Sequence, residues 1–429
     1  MEQRTYVNCI ELLQKELVPA YGCTEPVAIA YAAAKAREIL GSVPERMIVS
    51  CSGNIIKNAK SVVVPATGGL KGIEAAAAIG IAGGDAGAGL EVLHQINEFH
   101  RQQALSFLSK RMCRVKHLNT EEKLHIIVEA FTKEANSLVE IKQSHTNIVR
   151  MEKDGRPVLD LDGKGQYKYS DEEEKPEFLN FDTIYQFAQD VRISDVKEML
   201  DRQISCNTDI AEYGMTHSCG ANVGTTLVEM YGKDVKTLAR ALPAAGSDAR
   251  MGGCEMPVVI NSGSGNQGMT VSLPVITYAR EMKASAEQLY RALCISNLTA
   301  IYQKSEIGRL SAFCGAVSAG AAAGAGIAYL LGGGVEQIAS VVSNTLANVA
   351  GIICDGAKAS CAAKIASSVG AAIMAVNLTM YGNSFCPGDG VVREDANATV
   401  KGVAAIAREG MRETDEVILG IMVENERRF

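Results

Sequence analysis

The chain has 429 residues, room for more than one domain, and is 47% hydrophobic with only 5% aromatic residues and no Trp. Its apolar mass is therefore Ala, Val, Ile and Leu joined by 41 Gly, a mixture suited to helices that pack closely through small side chains. A net charge of −7, with no Lys/Arg run interleaved with aromatics, argues against nucleic acid as a partner.

The opening Met-Glu-Gln-Arg-Thr-Tyr lacks the basic-then-apolar pattern of an export signal, so the expected location is cytoplasmic. Twelve cysteines in that setting read as reduced thiols, metal ligands or catalytic groups rather than as a disulfide framework. In chain order, residues 6–18 and 24–39 have helical spacing, the second opening on Thr24-Glu25-Pro26, a polar cap, an acid and a proline in the first turn. Met47 to Pro65 alternates as strand, turn and strand around Asn54, and Ala/Gly-rich helices are expected near 70–82 and 86–97.

From Met112 the texture changes. Leu124–Ala130 and Thr146–Arg150 read as strands, Lys153–Pro157 as a hairpin turn and 163–177 as an exposed polar loop. The expected fold class is α+β: a mainly helical catalytic domain, 1–107 with 181–429, carrying an inserted α+β module with an antiparallel sheet at 108–180. Residues 182–240 return to helical periodicity. Between Leu310 and Gly388 the only charged residues are Glu336, Asp355, Lys358 and Lys364. Such a stretch could hold the ~20 apolar residues of a bilayer span. However, Cys314–Leu331 is mostly Gly, Ala and Ser and lacks flanking basic clusters and aromatic belts, so buried core helices are expected and no membrane span.

Within that tract Cys314, Cys354 and Cys361 stand out, while Cys386 before Pro387-Gly388 reads as a turn residue. Cys354 and Cys361 lie seven apart and would share one helix face two turns apart. Scarce His and no Cys-x-x-Cys spacing weigh against structural zinc. Three thiolates in a low-charge pocket suit an iron–sulfur cluster with one iron left open. On spacing alone, buried cysteines acting as small hydrophobes are the plainer reading. Cys23 precedes the helix at Thr24, where free amides and the helix dipole would lower its thiol pKa. It is either a fourth ligand, a reactive group beside a cluster, or an ordinary cap residue.

The densest polar segments are Ser247–Gly253 and Asn261–Gly268. Arg250 could grip a carboxylate bidentately while Ser262, Ser264 and Asn266, set among glycines, bring backbone amides to an anion. Two tight turns with a salt-bridged Arg would explain them as well. His145, at the mouth of a strand, is a candidate general base or orienting donor, although a lone His is more often structural. Asn54, with Lys57 and Asn58, lines a polar pocket or merely begins a solvated helix. The Ser264–Gly268 stretch also looks like the substrate loop of pyridoxal-phosphate dehydratases, but no segment suited to a Schiff-base lysine precedes it.

Together the motifs say more. Gly22-Cys23-Thr24-Glu25-Pro26, His145-Thr146-Asn147, Ser247–Gly253, Ser262–Gly268, Arg309-Leu310-Ser311-Ala312 with Cys314, and Cys354-Asp355-Gly356-Ala357 with Cys361 occur in this order. In that order they resemble the L-cysteine desulfidase family, relatives of the catalytic chain of iron–sulfur L-serine dehydratases, over nearly the whole chain. The resemblance implies a [4Fe–4S] cluster on Cys314, Cys354 and Cys361 with Cys23 near the fourth iron, and a homodimer. It also implies an oxygen-sensitive lyase converting L-cysteine and water to pyruvate, ammonia and hydrogen sulfide. L-serine dehydration is the alternative within that chemistry; a pyridoxal-phosphate lyase or a redox-sensing iron–sulfur protein lies outside it.

Overall fold

The computed structural model of the chain describes residues 1–120, 122–161, 175–308 and 311–424. The expected loop at 163–177 lies almost wholly outside the described residues, as do Arg309 and Leu310. The fold is α+β and mainly helical, with one six-stranded sheet and one two-stranded sheet.

The larger sheet has the order Cys113–His117, Arg46–Cys51, His125–Phe131, Asn136–Lys142, Ile148–Lys153, Arg156–Asp160. Only the first pair is parallel; every later pair is antiparallel. The expected hairpin forms, with Lys153 paired to Arg156 across Asp154 and Gly155, both at positive φ, as a two-residue turn matched to strand twist requires. Ile126, Val128 and Ala130 alternate toward one buried face, against which helix Thr24–Leu40 packs. Helix Gly72–Gly83 crosses that helix so closely that a Cβ on Gly80 would lie 2.3 Å from the Ala30 carbonyl oxygen.

This arrangement differs from a sheet confined to 108–180. Strand Arg46–Cys51 sits inside the sheet, and helices from residues 24–83 share its hydrophobic core. Strand pairing is decided by long-range contacts that local texture does not record. Two local expectations also change. The second strand after Asn54 is instead helix Gly53–Ala59, whose Ile55, Ile56 and Ala59 face the core at helical spacing. The helix expected at 86–97 is replaced by a short turn at Gly89–Glu91. Gly87 and Gly89 raise the entropic cost of a helix there. The next helix, Glu98–Ser109, starts only where the Asn97 side chain accepts the His100 amide at 3.2 Å.

The second and larger core is helical. At its centre lies Gly315–Leu330, whose residues are buried except Gly315 and Tyr329. Its glycines face different neighbours: a Cβ on Gly320 would meet Ser368 at 3.0 Å, on Gly324 would meet Val341 at 2.9 Å, and on Gly326 would meet Val275 at 2.8 Å. Small residues here let three helices approach at once. Helix Ser360–Met380 is long and apolar enough to cross a bilayer by length and composition. It packs against Val235–Met251, Gly315–Leu330 and Val335–Val349.

Gly326→Val should therefore overpack this core and lower the unfolding free energy by about 1–3 kcal/mol. A urea midpoint unchanged from the parent would contradict the contact described.

Candidate active site

Three short segments bring the cysteines together. Phe313 and Ile353 form an isolated antiparallel bridge. The Cys314 amide donates to the Ile352 carbonyl at 3.1 Å, and the Cys354 amide to that of Ala312 at 2.6 Å. Cys314 is the N-cap of the central helix, and Cys361 lies in the first turn of Ser360–Met380. Cys354 sits in the preceding loop, so it and Cys361 do not share a helix face as their spacing suggests; the loop turns through Gly356 at φ +93°. A Cβ at Gly356 would lie 2.3 Å from the Lys57 carbonyl oxygen, so both its φ and its space call for glycine. Burial pushes the Cys314 thiol up to about 12, with the neighbouring Cys354 and Cys361 adding to the effect. Burial likewise raises Cys361, whose sulfur receives the Lys358 amide at 3.4 Å. Asp355, between them, pairs with Lys364.

Cys23 is the N-cap of helix Thr24–Leu40, as expected, but its thiol is not made acidic there. Burial and then the adjacent Glu25 carboxylate push its pKa well above the ordinary value, outweighing Arg250. The thiol donates to Glu25 Oε2 at 3.1 Å. Thr24 Oγ1 lies 3.1 Å from the same oxygen and from the Gly263 carbonyl. Asn58 Nδ2 donates to Glu25 Oε1 at 2.9 Å. Burial opposes ionisation of Glu25, yet His145, the thiol hydrogen bond and Arg250 hold its carboxyl below the usual range.

The motif Ser247-Asp248-Ala249-Arg250 divides its work. Asp248 accepts the amides of Ala221, Val223 and Gly224 at 3.0, 2.7 and 3.3 Å, pinning the 219–224 turn. Arg250, in the last turn of helix Val235–Met251, is 3% exposed. Its Nη1 donates to Asn266 Oδ1 at 3.2 Å and its Nε is buried without a hydrogen-bond partner, while its charge acts on the Glu25 carboxylate without a direct salt bridge among the described residues. A Cβ on Gly265 would lie 2.6 Å from that Nε. In the adjoining turn Ser262 and Gly263 both have positive φ, at 50° and 78°, and the Ser264 amide donates to Asn261 at 3.1 Å. A serine held in the left-handed region is a strained position of the kind that clusters at functional sites.

These parts face one cavity of about 120 Å³. Cys314, Cys354 and Cys361 line it, as does Cys23. So do His145, Arg250 and Asn54, and the turn residues Ser262, Ser264 and Asn266. Every residue singled out in the sequence as a site candidate thus reaches the same space. Glu25, Gln267 and Lys304 line it too, without a role having been assigned to them. Glu25 read only as a helix-start acid, and Gln267 was one more polar residue in its loop. Lys304 carries the weakest signal, one charge in the mixed polar run Gln303-Lys304-Ser305-Glu306.

Among the described residues no three His, Cys, Asp or Glu side chains converge tightly enough for a single metal ion. An iron–sulfur cluster makes a different demand, because each thiolate holds a separate iron and the sulfurs stand apart. Three cysteines lining one cavity, with room beside them, fit that donor set.

Fold and site together describe a mainly helical protein with a cavity lined by thiols, a buried guanidinium and a carboxylate. The chain matches the family model of the serine dehydratase alpha chain over residues 87–420 and belongs to that family, one of lyase-type enzymes. It is 56% identical to a UPF0597 protein of Lachnoclostridium phytofermentans, over 97% of this chain and 100% of the relative. It is 49% identical to one of Desulfitobacterium hafniense, over 98% of each, and 44% identical to one of Treponema denticola, over 99% and 100%. The expected kinship with serine dehydratases is thereby met, while the narrower desulfidase assignment is not named by these relatives.

Asp248→Ala would strand three backbone donors and should lower stability by about 1–3 kcal/mol. A parent-like denaturation midpoint in that variant would show that the 219–224 turn holds itself.

Proposed function

We propose that the chain is an iron–sulfur lyase that takes L-cysteine and water to pyruvate, ammonia and hydrogen sulfide by α,β-elimination. The observation that carries this reading is Arg250, a buried guanidinium without a carboxylate partner, opening into the cavity lined by Cys314, Cys354 and Cys361. A cation so placed has given up water and awaits an anion. The α-carboxylate of a small amino acid supplies one, gripped by Arg250 and by the donors of the Ser262–Asn266 turn.

Cys314, Cys354 and Cys361 would hold the cluster, with Cys23 beside its open corner. When bound there, a [4Fe–4S] cluster supplies Lewis acidity for the departing group at the β-carbon. The chain's own residues supply the rest. His145, which lines the cavity, is the candidate to accept the α-proton in its neutral form. Cys23, hydrogen-bonded as a donor to Glu25, stays protonated and is the weaker candidate. Proton removal at Cα and departure of sulfide from Cβ leave aminoacrylate. It tautomerises to the imine, which water hydrolyses to pyruvate and ammonia. Sulfide leaves more readily than hydroxide, since a thiol ionises near pH ~8.5.

The family's serine dehydratase description favours a second reading in which L-serine is the better substrate and water departs. The same cavity serves both, and relative kcat/KM for the two amino acids decides between them.

Protein purified without air should contain about four iron and four acid-labile sulfide per chain and release sulfide from L-cysteine or ammonia from L-serine. Absence of both elements from protein made with adequate iron would overturn the proposal. Cys354→Ser should lose both cluster and turnover; full retention of the two would remove Cys354 from the ligand set. Arg250→Met should lower kcat/KM roughly 10- to 100-fold through the lost charge-assisted hydrogen bonds. An unaltered kcat/KM would break the carboxylate assignment.

A further inference from the structure

We infer that the cavity contains a separate ammonium subsite built by Glu25, Asn54 and Gln267, which selects α-amino acids against 2-hydroxy acids and plain carboxylates. This rests on the reading of the cavity as the substrate site and adds the group that recognises the other end of the molecule.

Two unpartnered acceptors and a carboxylate face the cavity. Asn54 Oδ1 and Gln267 Oε1 are both buried and have no hydrogen-bond partner. The roughly four lone-pair positions of Glu25 are met by Cys23, Thr24, Asn58 and its own backbone amide, so what it brings to the subsite is its negative charge. A buried acceptor left unmade is costly, so a site that keeps two of them open beside a carboxylate is shaped for a cationic, donor-rich ligand.

The position of Gln267 is enforced rather than incidental. A Cβ on Gly315 would lie 2.6 Å from Gln267 Cδ, so the amide packs against backbone directly after Cys314. Gln267 is 7% exposed and has little freedom to turn toward solvent. Asn54 comes from helix Gly53–Ala59, the same helix that places Asn58 on Glu25. Glu25, Asn54 and Gln267 thus come from three separate elements and line one cavity.

An α-ammonium has three N–H donors and one positive charge; two open acceptors and a nearby carboxylate complement it. A hydroxyl in the same place brings one donor and no charge, leaving one acceptor unpaired and the carboxylate without a counter-charge. A methylene leaves both acceptors unpaired. Arg250 holds the carboxylate end in every case, so the two ends of a zwitterion are read by groups of opposite charge.

The test uses ligands without a leaving group at Cβ, so that binding is read without turnover. Calorimetric titration of anaerobically purified full-length protein with L-alanine, L-lactate and propionate should give L-alanine at least about tenfold tighter than L-lactate, the size of one well-made hydrogen bond or more. Gln267→Met, close in shape but without the acceptor, should weaken L-alanine about tenfold and leave L-lactate within about twofold. Asn54→Leu should act in the same sense, and Arg250→Met should weaken all three ligands. Equal binding of L-alanine and L-lactate by the parent protein would overturn the subsite without recourse to any variant. So would a Gln267→Met effect shared equally by both ligands. Discrimination intact in protein that releases neither sulfide nor ammonia would leave the subsite standing and overturn the lyase reading alone.

Discussion

The close packing of small-residue helices around Gly315–Leu330 is the constraint on which the site depends. Gly320, Gly324 and Gly326 let three neighbours approach within van der Waals distance of one helix, and that helix begins at Cys314. Because its surroundings are dense, its N-terminus cannot drift, and the segment leading into it is held by the bridge between Phe313 and Ile353. Packing far from the chemistry therefore sets where Cys314 and Cys354 lie. A rigid scaffold of this kind is what a multi-thiol site needs, since its ligands must be in place before anything binds.

Electrostatics organise the opposite wall. Glu25 gathers donors from Cys23, Thr24 and Asn58 and interacts with His145 and Arg250. The carboxylate and the guanidinium line the same cavity yet form no ion pair with each other. Were they to meet directly, each would satisfy the other and the cavity would have no charge to offer. Asn266 occupies one Arg250 nitrogen, which leaves the rest of the guanidinium for a ligand, while the carboxylate keeps its charge among neutral donors. Behind this wall the buried Lys57 pairs with Asp415 of the C-terminal helix. The last helix thereby braces the segment that carries Asn54 and Asn58.

Much of this was legible locally. The cap at Cys23-Thr24-Glu25-Pro26, the Asp154-Gly155 turn and the uncharged small-residue helices all follow from short-range rules about caps, turns and side-chain size. Other features resisted for identifiable reasons. The alternation after Met47 reads as two strands because Ile55 and Ile56 flank polar residues, yet the segment coils where the core lies on one side only. The membership of Arg46–Cys51 in the sheet depends on partners some 65 to 85 residues away in sequence. The Cys23 thiol was expected to be acidic because a helix N-terminus favours an anion. Burial and a carboxylate two residues along reverse that sign.

The sequence by itself determined the kind of chemistry available: which thiols, which cation and which polar turns exist, in an order that marks their kinship, because residue type and local spacing are properties of the chain. The tertiary structure alone decided that these groups share one cavity and that Glu25 and Gln267 belong with them. It also decided that Arg250 turns inward while Asp248 of the same motif anchors a neighbouring turn. Those outcomes depend on which buried polar atoms are satisfied, and satisfaction is settled by contacts between residues hundreds of positions apart.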